Sequence, residues 1–297
     1  MTKDQGPGGF HTIAVIGTGQ MGAGIAQACA TAGAHVIAID PDHAQRARAR
    51  MGVAKSLAKL AEKGLVTDPA GIEARIRFAE KIDDAESADL AIEAIVEDLA
   101  AKLALWEELD VICPPDTIFA TNTSSLSVGA QAAVTDRAKS FLGLHFFNPV
   151  PLMALVEVVR TEALAPKALA RALALVRAMG KTPVLAQDTP GFVVNRLLVP
   201  YLLDAARAAE AKVASTLDID AGMKLGAGHP MGPLMLLDFV GIDTVVRIAE
   251  TFHQTFGEER HRAPAILTAM VARGELGKKS GKGFYDWSGA EPVARSL

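Results

Sequence analysis

The turn Gly17-Thr18-Gly19-Gln20-Met21-Gly22 follows directly on the apolar run Ile13-Ala14-Val15-Ile16. The next apolar run, from His35 to Ile39, ends on an acid, Asp40, eighteen residues beyond Gly22. Strand, glycine turn, helix, strand and acid in that order is the layout of a dinucleotide-binding βαβ unit. Gly17 allows the tight turn, Gly19 lets the backbone approach a pyrophosphate, and Gly22 lets the helix pack closely on the strand. The helix, predicted from about Gln20 to Ala32, turns its free N–H groups and positive dipole end toward the phosphates. Gly17, Gly19, Gln20, Met21, Gly22 and Asp40 are therefore the first candidate cofactor-binding residues. A carboxylate at Asp40 accepts hydrogen bonds from an adenosine ribose and repels an added phosphate, so the expected cofactor is NAD rather than NADP.

Apolar runs at residues 76–79, 89–95, 117–121, 141–146, 155–159 and 183–186 alternate with helical stretches at about 44–63, 100–110 and 166–179. Strands separated by helices predict a mostly parallel α/β sheet of the Rossmann type covered on both faces. The pattern changes at Gln187-Asp188-Thr189-Pro190-Gly191, beyond which the segments read as helical. Pro190 suits the first turn of a helix running through Asn195 and Tyr201. Ser215 with Asp218 reads as a capped helix start, closed by Gly226-Ala227-Gly228, and Pro233 and Pro264 open two more. The expected organisation is a flexible leader over residues 1–10, a Rossmann domain over 11–187 and a smaller all-helical domain over 188–297.

At 297 residues, such a chain buries about three quarters of the surface that its unfolded form exposes, so no staples are needed. Half of its residues are hydrophobic, 22% are charged and the net charge is −4. That balance gives no reason to expect nucleic acid or an anionic membrane as a partner. Cys29 and Cys113 lack metal-ligand or disulfide spacing and read as reduced thiols of a cytoplasmic protein, with no metal site. The longest apolar stretch, residues 197–203, carries Pro200 and has a charge at each end, too short and interrupted to span a bilayer.

Alcohol oxidation with NAD needs a base for the hydroxyl proton. His145 closes the run Phe141-Leu142-Gly143-Leu144, at the carboxyl edge of a predicted strand, where open α/β sheets bind ligands. Histidine is the side-chain type whose unperturbed pKa lies nearest neutrality. Glu157, inside Leu155-Val156-Glu157-Val158-Val159, is a carboxylate in an apolar run that needs a buried partner, for which an imidazole is suited. Asn122-Thr123-Ser124-Ser125 follows another strand end and offers short polar groups.

These segments, with Gly143-Leu144-His145-Phe146-Phe147-Asn148-Pro149-Val150-Pro151, Asp188-Thr189-Pro190-Gly191-Phe192-Val193-Val194-Asn195-Arg196-Leu197, His229-Pro230-Met231-Gly232-Pro233 and Gly277-Lys278-Lys279-Ser280-Gly281-Lys282-Gly283-Phe284-Tyr285, resemble the L-3-hydroxyacyl-CoA dehydrogenase family. The resemblance covers about residues 11–287. It implies that His145 is the catalytic base, that Glu157 orients it, and that Ser124 and Asn195 hold the C3 oxygen of the substrate. It also implies NAD contacts at Asp40, Glu97, Lys102, Asn122, Asn148 and Lys279, and coenzyme A contacts at Ser56 and Lys63. Ala154 departs from the family, where a lysine is common. The implied enzyme is free-standing and cytoplasmic, acts on an acyl-CoA such as 3-hydroxybutyryl-CoA, and pairs as a homodimer through its helical domain. Two other readings of the residues stay open here: a dehydrogenase of a free hydroxy acid of the gulonate type, and a non-catalytic NAD-binding regulator.

Overall fold

The computed structural model describes residues 6–296, which fall in two compact units, Met1–Phe192 and Val193–Leu297. The first unit runs β1 (Thr12–Ile16), α1 (Gln20–Thr31), β2 (His35–Ile39), α2 (His43–Glu62), α3 (Pro69–Ala74), β3 (Ile76–Ala79) and β4 (Leu90–Glu93). It continues with α4 (Leu99–Ile112), β5 (Ile118–Thr121), α5 (Val128–Ala132), β6 (Phe141–Phe146), β7 (Leu155–Arg160), α6 (Pro166–Ala178) and β8 (Thr182–Gln187). The eight strands form one sheet in the order β3-β2-β1-β4-β5-β6-β7-β8. Strand order reverses between β1 and β4, which marks the crevice at their carboxyl ends as the ligand side of the sheet. The inner strands are buried because helices cover both faces: all six residues of β6 and all four of β4 and β5 are buried, and nearly all are apolar, with Glu93, Thr121 and His145 the exceptions.

One pair breaks the parallel pattern. β6 and β7 run antiparallel, because only a short loop, 147–154, joins them, whereas a parallel return needs a crossover. The register sets His145 directly opposite Glu157. Local chemistry fixes the helix starts: the side chains of Asp42, Asp68, Asp98 and Ser127 accept backbone N–H bonds in the first turns of α2, α3, α4 and α5. The start of α1 at Gly19 has no such side-chain cap.

The second unit is built from α7 (Val194–Glu210), α8 (Thr216–Gly226), α9 (Pro233–Val240), α10 (Ile242–Phe256) and α11 (Ala265–Ala272). Its core gathers Leu202, Leu203, Leu237, Val245, Phe252 and Met270, all without solvent contact. The unit is helical except for a short antiparallel pair, β9 (Tyr285–Asp286) and β10 (Val293–Ala294). Buried Asp238 holds the strand end in place, accepting from the backbone N–H groups of Phe284 and Tyr285 and from the indole of Trp287.

Three sequence expectations change. The proposed leader is shorter than residues 1–10: Met1 to Gln5 lie outside the described residues, but Pro7–Gly9 form a 3-10 turn. Phe10 is wholly buried beneath the guanidinium of Arg171, 4.0 Å from its ring centre. The unit boundary falls after Phe192 rather than after 187. Asp188 explains this, because it still belongs to the first unit: its carboxylate accepts from Val128 N, Gly129 N and Ser127 Oγ. The helix expected to open at Pro190 begins only at Val194, since Gly191 and Phe192 take left-handed φ values of 78° and 48° that no helix accommodates. Among the described residues, no helix is long and apolar enough to cross a membrane.

His261 has no solvent contact, and neither ring nitrogen has a hydrogen-bond partner. It packs between the rings of Phe252 and Phe256. Burial, with Arg260 and Arg196 nearby, holds its pKa below the ordinary histidine value against the opposite pull of Glu258. A folded pKa below the unfolded one makes the unfolded chain bind the proton more readily, so stability falls as pH drops through about 6.5. We expect a His261→Phe variant to lose less thermal stability than the parent between pH 7 and pH 5.5, measured by calorimetry. Parallel Tm curves for the two proteins would remove His261 from the acid sensitivity.

Candidate active site

The glycine turn has the geometry that its spacing predicts. Gly17 sits at φ 92°, and a Cβ there would lie 2.6 Å from the carbonyl oxygen of Ala94. A Cβ on Gly22 would lie 1.8 Å from the carbonyl oxygen of Gly17, so the helix approaches the strand as only glycine permits. A Cβ on Gly19 would meet nothing within 4 Å, which leaves the backbone open on the phosphate side. Asp40 closes the turn: Oδ2 accepts from Thr18 N at 2.8 Å and from Thr18 Oγ1 at 3.1 Å, and Oδ1 accepts from Asp42 N at 3.0 Å. Gln20 is exposed at the helix start, while Met21 is half-buried and packs against the core of the first unit.

At the end of β6, His145 Nδ1 lies 2.6 Å from Glu157 Oε2. The carboxylate is wholly buried and the imidazole is 7% exposed. Glu157 accepts from the Nδ1 proton, which fixes the tautomer with Nε2 unprotonated and able to take a proton. The rings of Phe147 and Phe192 lie 4.6 and 5.6 Å from the imidazole and shield it from water. Asn122 braces the same strand end, its Oδ1 accepting from Phe146 N at 2.9 Å while its own N–H donates to the carbonyl of Glu93.

The loop after β5 is organised by Glu97. Its Oε1 accepts from Thr123 Oγ1 at 2.6 Å, Ser124 N at 2.9 Å and Ser125 Oγ at 3.2 Å. Partial burial works against its ionisation, but the Lys102 ammonium and these donors prevail and hold its carboxyl below the ordinary glutamate range. Lys102, expected to contact the cofactor, is tied to the same carboxylate. It is 1% exposed, and its Nζ lies 2.6 Å from Glu93 Oε1 and 3.1 Å from Glu97 Oε2. Two carboxylates hold this buried ammonium, which ties Lys102 to Glu97 and through it to the loop.

Asn148, Ser56, Gln45, Arg48, Gly52 and Gly19 share the wall of one cavity of ≈ 400 Å³ beside the glycine turn. Lys63 is exposed at the C-cap of α2 and does not line it. In the second unit, Asn195 is half-buried in the first turn of α7. Lys279 is exposed and pairs with Asp243 Oδ2 at 2.7 Å.

The sequence reading did not single out Glu93, Asp188, Lys181 or Phe192 as side chains that shape the site. Glu93 carried a legible signal, an acid closing the apolar run Leu90-Ala91-Ile92, the same kind of anomaly that marked Glu157. Lys181 carried none: its buried ammonium donates to the carbonyls of Val150 at 2.6 Å and Met153 at 2.7 Å, clamping the loop after β6.

Residues 12–189 match the family model described as 3-hydroxyacyl-CoA dehydrogenase, NAD binding domain, and residues 191–287 match that of its C-terminal domain. The chain is 43% identical over 282 residues to a 3-hydroxybutyryl-CoA dehydrogenase of Mycobacterium tuberculosis, covering 94% of this chain and 99% of the relative. It is 45% identical over 284 residues to the mitochondrial hydroxyacyl-coenzyme A dehydrogenase of Sus scrofa, covering 93% and 90%. Among solved structures, it is similar to (S)-3-hydroxybutyryl-CoA dehydrogenase from Ralstonia eutropha, with a TM-score of 0.92 and 41% identity, covering 94% of this chain and all of that one.

Proposed function

The chain belongs to the 3-hydroxyacyl-CoA dehydrogenase family, and we propose that within it the enzyme interconverts 3-hydroxybutyryl-CoA and acetoacetyl-CoA with NAD as cofactor. The observation that carries the chemistry is the buried His145–Glu157 pair at the carboxyl edge of the sheet. The uncapped start of α1, the open side of Gly19 and the acid at Asp40 fit NAD. When bound, NAD supplies the acceptor for the hydride from C3.

The protein's own residues supply the rest. His145 takes the hydroxyl proton at Nε2, and the charge that develops on the ring is offset by Glu157 at Nδ1. In the reductive direction the same nitrogen returns the proton. Ser124 holds the C3 oxygen, and Glu97 and Asn122 keep the loop and the strand end in register around it. Asn148 contributes to the cofactor side of the cavity, and Ser56 and Lys63 receive the coenzyme A portion.

NADH oxidation with acetoacetyl-CoA, beside free acetoacetate at equal concentration, tests this reading. Turnover with the thioester alone supports it. Turnover with both substrates would favour a free hydroxy acid dehydrogenase, and tight NADH binding without turnover on any 3-oxoacyl-CoA would favour a regulator.

NAD preference is assigned to Asp40. In an Asp40→Ala enzyme we expect the ratio of kcat/KM for NAD over NADP to fall about tenfold or more, the scale of one charge repulsion at a partly exposed site. An unchanged ratio would place the discrimination elsewhere. We further propose a cytoplasmic homodimer joined through the second unit, supported by its exposed apolar side chains Leu197, Leu217 and Leu225. Light scattering at micromolar protein checks the mass.

A further inference from the structure

Glu93 has no part in the proton transfer, yet it is tied into the site from several directions. Its side chain is without solvent contact. Oε1 accepts from Lys102 Nζ at 2.6 Å and from Ile95 N at 2.8 Å, and Oε2 accepts from Thr121 Oγ1 at 2.7 Å. Its main-chain carbonyl accepts from Asn122 N at 2.9 Å. Glu93 stands at the last position of β4, so it faces the crevice where strand order reverses. Lys102 passes the contact on to Glu97, whose other oxygen gathers Thr123, Ser124 and Ser125. Two carboxylates and one ammonium leave this cluster a formal negative charge that is dispersed over hydroxyl and backbone donors.

We propose that Glu93 is a positioning residue for the reaction: by anchoring Lys102 it fixes Glu97, and through Glu97 it fixes the backbone and side chain of Ser124. The proposal rests on the reading that Ser124 holds the C3 oxygen. A lysine side chain has four rotatable bonds and reorients readily when one of two partners is lost. Glu97 is one-third exposed, so it turns to water if Lys102 stops holding it. The Thr123–Ser125 loop then loses the acceptor that its donors share, and a hydrogen-bonding group misplaced by about 1 Å costs about a hundredfold in rate. A purely structural Glu93 would only join β4 to β5, through Thr121 and Asn122, and its loss would not single out Ser124.

A double-mutant cycle separates these roles. Glu93→Gln keeps the size and an acceptor but removes the charge that holds Lys102. We expect kcat/KM for acetoacetyl-CoA to fall by roughly 10- to 100-fold, while the Kd of NADH, read by fluorescence, stays within about twofold. Ser124→Ala lowers kcat/KM by itself. The combined variant is expected to be no worse than Ser124→Ala beyond about twofold, because residues that act through one another are not additive. Should Glu93→Gln fold poorly, Lys102→Met enters the same cycle with the same expectation. Losses that multiply, or an unchanged kcat/KM in Glu93→Gln, would overturn the proposal while leaving the function intact. Wild-type kcat/KM in Ser124→Ala would overturn the reading of Ser124, and the proposal with it.

Discussion

Replacing His145 by glutamine is expected to lower turnover of acetoacetyl-CoA by about 10²- to 10⁴-fold, the usual contribution of general acid–base catalysis. Glutamine is close in size and can still donate a hydrogen bond to Glu157, so the antiparallel pair β6–β7 and the core behind it have no reason to move. What disappears is a nitrogen able to exchange a proton near neutral pH. The cofactor turn is built by residues of β1, α1 and β2, with its hydrogen bonds at Thr18, Asp40 and Asp42, so NADH affinity should stay close to that of the parent. Stopped-flow or steady-state turnover and a fluorescence titration on the same preparation check both halves. Near-normal turnover would remove His145 from the mechanism. Loss of NADH binding in parallel would show that the substitution had damaged the fold rather than the chemistry.

The dinucleotide-binding half was legible because its signals are local. Glycines at 17, 19 and 22 and an acid at 40 each answer to backbone geometry within one βαβ unit, and the structure places them as that geometry requires. His145 and Glu157 were legible for a different reason. His145 ends an apolar run at a strand's carboxyl edge and Glu157 is an acid inside an apolar strand, and the antiparallel register sets them opposite each other. The same reasoning applied to Leu90-Ala91-Ile92-Glu93 would have found Glu93. The burial of Lys102 was not legible, because a lysine on a helix gives no sign in sequence of lying between two carboxylates nine and five positions earlier. The start of α7 was misplaced because Pro190 marks a helix beginning only where the residues after it keep helical φ, and Gly191 and Phe192 do not. The Asp188 cap was missed because its partners lie some 60 residues earlier, a separation that local patterns cannot span.

Glu157→Gln tests whether the pairing, and not only the histidine, carries the reaction. The carboxylate accepts at Nδ1 and has no proton of its own to offer, so Nε2 is left as the basic nitrogen. A glutamine amide can turn its NH₂ toward Nδ1 instead, which makes Nδ1 the acceptor and puts the ring proton on Nε2. That tautomer cannot take the substrate's hydroxyl proton, and the developing imidazolium also loses its counter-charge. Both effects act on the same step, so turnover should fall by about 10²- to 10⁴-fold, the upper end being the scale seen when the acid of a His–acid pair becomes an amide. The substitution leaves the side chain buried with polar partners, so the fold and NADH affinity should survive, as circular dichroism and fluorescence would show. The pH–rate profile distinguishes this mechanism from general destabilisation. With the carboxylate gone, the ring loses its anionic partner, and the pH dependence of the oxidative reaction should differ from that of the parent. A profile superimposable on that of the parent would mean that Glu157 supports the strand rather than the base.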